Sequence, residues 1–107
     1  MAHSIGRDGL SVTLESVLVQ ESEPQAADLD GRVVVLSVRA GSYFGFNRVA
    51  GEIWNMLAEP CRVGRIFDTL TERHDVDPDT VARDVTAFLQ TLVEQRLARV
   101  VDPAEGR

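Results

Sequence analysis

The stretch SYFGFNRVAGEIW, residues 42–54, decides the fold because its periodicity changes within a few residues. Its first half alternates, so the two phenylalanines lie on one face of a strand and Tyr43 with Gly45 on the other. From Asn47 onward the apolar residues recur with a period of 3.6, and Asn47 itself is a good N-cap. The stretch therefore predicts a short aromatic strand that leads directly into an amphipathic helix.

Two further strands are predicted upstream of this stretch. Residues 16–20 alternate, and the β-branched run at residues 32–38 is typical of a central strand. The segment between them, ESEPQAADLDG, is interpreted as a loop that ends in an Asp30-Gly31 turn. If neighbours in sequence pair, the strands form an antiparallel meander whose third strand, residues 43–46, lies at an edge.

Three helices are predicted downstream, at about residues 48–58, 63–74 and 78–95. The third has the clearest start, because Asp77 can cap it and Pro78 occupies its first turn. LARVV, at residues 97–101, can add a short extended segment. The sequence thus predicts an α+β domain with winged-helix-like proportions, a three-stranded antiparallel sheet followed by three helices (β-β-β-α-α-α). The domain should span residues 10–101, between flexible tails at 1–9 and 102–107.

Composition limits the possible functions of the chain. Its 107 residues, 44% hydrophobic and 26% charged, suit one globular domain, and the net charge of −6 argues against nucleic acid as a partner. The single cysteine cannot form an internal disulfide, which favours a reducing compartment. No segment has the composition of a signal peptide or a membrane span, so we expect a cytoplasmic protein that does not contact a membrane.

Catalytic patterns are missing from the sequence. The chain has two histidines, and His74 fits the end of a surface helix better than it fits a general base. Cys61 has no histidine at a specific spacing, so a buried thiol is the default interpretation. The DVDPD run lacks the glycine and the glutamate of a calcium loop. We expect no enzyme activity, no metal and no cofactor.

The segments VVVLSVRAGSYFGFNRVAGEIWNML and CRVGRIFDTLTERHDVDPDTVARDVTAFLQTLVEQRLARV resemble the PqqD-type peptide chaperones, which are recognition elements for ribosomally made precursor peptides. The resemblance covers roughly residues 32–100. It departs from the family pattern at Phe46, where Leu is usual, and at Arg96, where Gly usually follows the last helix. The matching positions are Gly41, Tyr43, Phe46, Asn47, Ile53, Trp54, Asp77, Pro78, Asp84, Val85, Phe88 and Leu89.

The resemblance implies a function that needs no catalysis. A free-standing chain of this kind is similar to the small leader-binding proteins of lasso-peptide biosynthesis, which partner a separate cysteine-protease-type leader peptidase and a cyclase. The leader would add antiparallel to the third strand and lie against the third helix, with an apolar pocket between Phe44 and that helix for the leader's Tyr and Leu. The residues implied in peptide binding are Tyr43, Phe44, Gly45, Phe46, Arg83, Asp84, Ala87 and Phe88.

Some alternatives remain open at this stage. The residues do not decide which flank of the third helix, Asp84 with Phe88 or Ala82 with Leu89, forms the binding surface. The chain could instead serve a radical-SAM peptide-modifying enzyme, the other branch of the family. A winged-helix DNA-binding regulator is a further candidate, but residues 77–95 carry Asp79, Asp84 and Glu94 against one arginine, which is unlike a basic recognition helix.

Overall fold

The computed structural model describes residues 12–30, 32–39 and 41–101. The two predicted tails, 1–9 and 102–107, lie outside the described residues. The elements in chain order are β1 (Val17–Gln20), β2 (Gln25–Leu29), β3 (Arg32–Ser37), β4 (Ser42–Phe46), α1 (Arg48–Met56), β5 (Cys61–Arg62), α2 (Val63–Arg73), α3 (Pro78–Glu94) and β6 (Ala98–Val101). The α+β class, with a three-stranded antiparallel sheet and three helices, is confirmed; the winged-helix likeness stays a prediction.

The predicted aromatic strand is β4, and it belongs to a sheet in the order β2-β3-β4. Both pairings are antiparallel, with Ala27 and Gly45 opposite Val34 on either side. The prediction that residues 21–31 form a loop was wrong, because β2 lies within it. All of β2 is exposed, so it carries no buried apolar face that could have marked it as a strand.

The predicted meander was also wrong in its first strand. β1 does not pair with β3; it lies at the centre of a second sheet, in the order β5-β1-β6. Val17 is opposite Arg62 on one side and Val101 on the other, so the sheet joins three distant parts of the chain. The extended segment predicted after α3 is confirmed as β6. One apolar core contains residues from both sheets and all three helices.

The predicted caps are present at the starts of α1 and α3, whereas α2 begins without a side-chain cap. The Asn47 side chain accepts a hydrogen bond from the Ala50 N–H at 2.8 Å, and Asp77 accepts from the Thr80 N–H at 3.0 Å. α1 ends at Met56, two residues before the predicted end. α1 also packs closely on β3, because a Cβ at Gly51 would meet a Val33 methyl at 2.8 Å.

Arg96 follows the end of α3, at the position where the PqqD-type pattern usually has glycine. Arg96 adopts a left-handed conformation, with φ of 61°, which glycine adopts at lower cost. Its N–H donates to the Val93 carbonyl and the Leu97 N–H donates to the Leu92 carbonyl, the two bonds of a Schellman cap. The cap therefore forms without glycine and turns the chain into β6.

Candidate functional site

The edge of the first sheet is formed by β4. β4 pairs with β3 alone among the strands of the described residues, so its second edge is available to another strand. Phe46 is 7% exposed and Phe44 is half-buried, both on the side of the core. Tyr43 and Gly45 are exposed on the opposite side, which is called the outer face below. The predicted alternation of β4 is confirmed.

An aromatic cluster joins the carboxyl end of β4 to α3. The ring of Phe46 lies edge-on to Phe88, with centroids 5.2 Å apart and an interplanar angle of 85°. Its other neighbour is Trp54 of α1, at 5.9 Å and 56°. Such aromatic pairs add stability beyond the area they bury, so they fix α1 and α3 relative to β4.

The two flanks of α3 have different environments. On one flank Leu89 and Val93 are buried and belong to the core. On the other, Asp84 is exposed and Phe88 is half-buried. The flank with Asp84 and Phe88 is therefore more exposed than the flank with Leu89 and Val93, and its role in peptide binding stays a prediction.

A pocket of about 410 Å³ lies beside the flank with Asp84 and Phe88. Asn47 and residues of α1 form one side, residues of α3 form another, and the end of α2 with its connection to α3 completes the lining. The cavity begins where β4 ends, and Phe44 is not in its wall, so the pocket expected between Phe44 and α3 stays a prediction. Its lining is mostly apolar and comprises Asn47, Val49, Ala50, Ile53, Leu70, His74, Val76, Thr80, Val81, Asp84, Val85 and Phe88.

The eight predicted site residues fall into separate groups. Asp84 and Phe88 line the pocket, and Phe46 does not line it but packs against the ring of Phe88. Arg83 and Ala87 are exposed on α3 but are not in the pocket wall. Tyr43 and Gly45 lie on the outer face and Phe44 on the inner face, as described above.

Sequence reasoning missed several residues of the pocket wall. Val49 of α1 and Val76 of the α2–α3 connection are 40% and 47% exposed, although both are apolar. Val49 belongs to the apolar stripe of α1 yet precedes the part of the helix that is buried. The available signal was the position of Val49, an apolar residue at the exposed end of the α1 stripe. No such signal pointed to Val76, which lines the same pocket but is distant in sequence.

An ionic contact holds one wall of the pocket. A Glu52 oxygen lies 3.4 Å from His74 Nε2, and the other lies 3.7 Å from Arg73 Nη1. Glu52 belongs to α1, and its two partners end α2. His74 lies at the end of α2, as the sequence predicted, and from there it contacts α1 and lines the pocket.

The described residues offer little catalytic chemistry. Burial raises the pKa of the Cys61 thiol, against a smaller opposing effect of Arg65, so the reactive thiolate is disfavoured. Within residues 12–30, 32–39 and 41–101, no group of three His, Cys, Asp or Glu side chains could hold a metal ion. None of the helices in this part of the chain combines the length and apolar character needed to cross a membrane.

The comparison with protein families decides the relationship of this chain. The family described as "Coenzyme PQQ synthesis protein D (PqqD)" matches residues 32–98, from β3 to the start of β6. The chain belongs to the PqqD family. The matched region includes β4, α1 and α3, which are the elements around the pocket, whereas β1 and β2 precede it. A search of curated proteins gave no match.

Two solved structures are similar to this PqqD-family protein. One is "TbiB1 in Complex with the TbiA(beta) Leader Peptide", with 34% identity, a TM-score of 0.69, and coverage of 75% of this chain and 93% of that chain. The other is "Lasso peptide synthetase B1 complexed with the leader peptide", with 26% identity, a TM-score of 0.63, and coverage of 76% and 95%. Both relatives were solved with a leader peptide, and the recognised likeness to lasso-peptide leader-binding proteins is confirmed.

Proposed function

We propose that this PqqD-family protein binds the leader segment of a ribosomally synthesised precursor peptide and delivers it to a processing enzyme. The observation that carries the proposal is the position of the β4 edge, which ends at a mostly apolar pocket of about 410 Å³. An edge strand presents N–H and C=O groups that pair with an added strand, and a pocket beside it can select side chains. The leader complexes of the two similar proteins support the same assignment.

Binding of this kind needs both the edge and the pocket. About four added backbone hydrogen bonds, at roughly 0.5–1.5 kcal/mol each, give a few kcal/mol in total. A dissociation constant of about 1 μM requires about 8 kcal/mol, after the cost of ordering a disordered leader has been met. Apolar side chains in the pocket must therefore supply much of the affinity, with Phe88 and Val49 among their contacts.

The strand directions within the sheet favour one direction for the bound leader. The sheet of β2, β3 and β4 is antiparallel throughout, so we propose that the leader also adds antiparallel to β4. Its residues on the N-terminal side then lie at the carboxyl end of β4, where Asn47 and Phe88 border the pocket. Its C-terminal part, which leads to the core peptide, leaves beside the β3–β4 turn.

Delivery requires a second surface on which the processing enzyme can dock. The outer face of the β2–β3–β4 sheet carries exposed apolar side chains, including Leu36 at 45% and Tyr43 at 75%. This face continues from the β4 edge, so an enzyme docked on it would lie next to the bound leader. We propose that it receives a separate leader peptidase of the cysteine-protease type, and that the product then passes to a cyclase. The protein itself would have no catalytic activity.

A calorimetric titration tests the binding proposal. The probe is a synthetic peptide with the leader sequence of the precursor encoded beside this gene, and a scrambled peptide is the control. We expect one-to-one binding with a dissociation constant near or below about 1 μM for the leader alone. Absence of heat at leader concentrations well above the micromolar range would contradict the proposal.

A further inference from the structure

Gly45 occupies the middle of β4 without an internal structural reason. Its φ is not in the left-handed region, unlike that of Gly41, whose φ is +66° at the β3–β4 turn. A Cβ built on Gly45 meets no atom within 4 Å, so crowding does not exclude a side chain either. Glycine weakens a strand because it loses more backbone entropy and packs nothing, and such a glycine often marks close approach by a ligand.

The outer face is open above Gly45, because no side chain or neighbouring atom fills this position. This open position on the outer face at Gly45 is called the notch below. Gly45 lies directly opposite Val34 of β3, and Tyr43 follows on the same face of β4, opposite Leu36. Tyr43 is 75% exposed on the same face of β4, and half-buried Val34 lies beside the notch on β3. The remaining side opens at the β4 edge, where an added strand would lie.

We propose that Gly45 determines specificity by accepting one bulky apolar side chain of the leader, aromatic or branched, in the notch on the outer face. The inference rests on the proposed function and adds a second recognition face to it. In an added strand the residue opposite Gly45 points outward, away from α3. A large side chain there can cover a cross-strand glycine and contact its neighbour Tyr43 diagonally.

The leader strand should therefore be apolar on both faces over this short segment. Residues on one face would point toward α3 and the pocket, and the residue between them would occupy the notch. If the sheet served only as a hydrogen-bonding template, the outward leader residue would face water and could be of any polar type. The glycine thus predicts a sequence feature of the leader that the pocket alone does not predict.

The direct test is Gly45→Val, with Ala27→Val as the matched control. Ala27 lies in the same cross-strand row, on the far side of Val34, at the other edge of the sheet. Both valines are exposed β-branched residues in a strand, so both variants should unfold at or above the wild-type temperature. Gly45→Val should weaken leader binding roughly tenfold or more, because one apolar side chain loses its buried position, whereas Ala27→Val should not.

Peptide variants supply the second arm of the experiment. Alanine is placed at each leader residue of the strand segment, and each peptide is titrated against the wild type and Gly45→Val. Alanine at one outward leader residue should lower the affinity for the wild type clearly and the affinity for Gly45→Val only slightly. Such a difference would show that this leader residue and Gly45 are energetically coupled. Gly45→Ala serves as a milder variant, with a smaller loss, if the valine variant does not fold.

The outcomes separate this inference from the proposed function. Tight binding of the leader to both the wild type and a folded Gly45→Val would contradict the role of the notch in recognition. The proposal that the protein binds the leader would still hold. Loss of affinity in both valine variants would also contradict the role of the notch, since the effect would not depend on the position of Gly45. No binding by the wild type would overturn the proposed function together with the inference.

Discussion

The two three-stranded sheets of this protein have the same size but different surroundings. In the β5–β1–β6 sheet, β1 has a strand on each side, and Leu18 is 0% exposed. In the β2–β3–β4 sheet, one face contributes Val35 to the core, while the other leaves Tyr43 75% exposed. The first sheet covers its apolar residues with its own chain, and the second leaves apolar residues and a strand edge uncovered.

The difference suggests a division of roles within one small domain. The β5–β1–β6 sheet ties the N-terminal and C-terminal parts of the described chain together and stabilises the core. The β2–β3–β4 sheet lies on that core and presents the β4 edge, the pocket and the outer face. Substitutions in the first sheet should therefore change stability, and substitutions beside β4 should change affinity.

The largest effect is expected for Leu18→Ala in the structural sheet. Removing a fully buried leucine side chain should lower the free energy of unfolding by about 2–5 kcal/mol. The leader affinity of the remaining folded protein should be unchanged, because Leu18 is not in the pocket wall. Urea unfolding measures the first quantity and calorimetry at low temperature measures the second. A large loss of affinity in fully folded Leu18→Ala would break the division of roles.

Phe88→Ala should have the next largest effect, and on affinity in particular. The substitution removes the contact with Phe46 and one pocket wall, so leader binding should fall roughly tenfold or more as an apolar anchor is lost. Phe67→Ala is the matched control, since Phe67 of α2 is also half-buried against the core but does not line the pocket. Both variants should lose stability. An equal loss of affinity in the two would show that the effect is indirect.

A smaller effect is expected at Glu23, which lies in the segment between β1 and β2. Its carboxylate accepts hydrogen bonds from the Val38 and Arg39 N–H groups and from the Ser37 hydroxyl. Desolvation raises the pKa of Glu23, but these bonds and the charge of Arg39 outweigh it, so the pKa lies below the ordinary 4.5. Its contribution to stability is therefore present above pH 4.5 and is lost as the pH falls through the lowered value.

Glu23→Gln provides the comparison for this pH dependence. The variant should unfold with a weaker dependence on pH below about 4.5, because no carboxylate is protonated at this position. Thermal unfolding of both proteins between pH 3 and pH 7, at about 0.5 unit intervals, measures the difference. Parallel curves for the wild type and the variant would exclude Glu23 as a source of acid sensitivity.

The helical half of the fold was predictable because its signals are local. Asn47 and Asp77 each cap the helix that follows within three residues, and the buried face of each helix repeats within its own sequence. The alternation of β4 was predictable for the same reason. Such features depend on neighbouring residues alone, so one sequence is enough to find them.

The parts that could not be predicted depend on distant pairing. β2 consists of exposed residues and forms a strand only because β3 is beside it. β1 pairs with segments more than 40 residues away, as between Leu18 and Cys61. The pocket likewise has both Val49 and Val76 in its wall, and no sequence pattern relates these two distant residues. These elements form through contacts between residues that are distant in sequence, and local sequence patterns do not reveal such contacts.

The most direct test of the central claim is an N-methyl scan of the bound leader. Methylation of one backbone nitrogen at a time removes one donor from the peptide and leaves the protein unchanged. An added strand directs alternate N–H groups toward β4, so affinity should fall about fivefold or more at every second residue, from about 1 kcal/mol for each lost hydrogen bond. Residues between them should tolerate methylation. A profile without this two-residue period, in a leader that binds tightly, would contradict strand addition at β4.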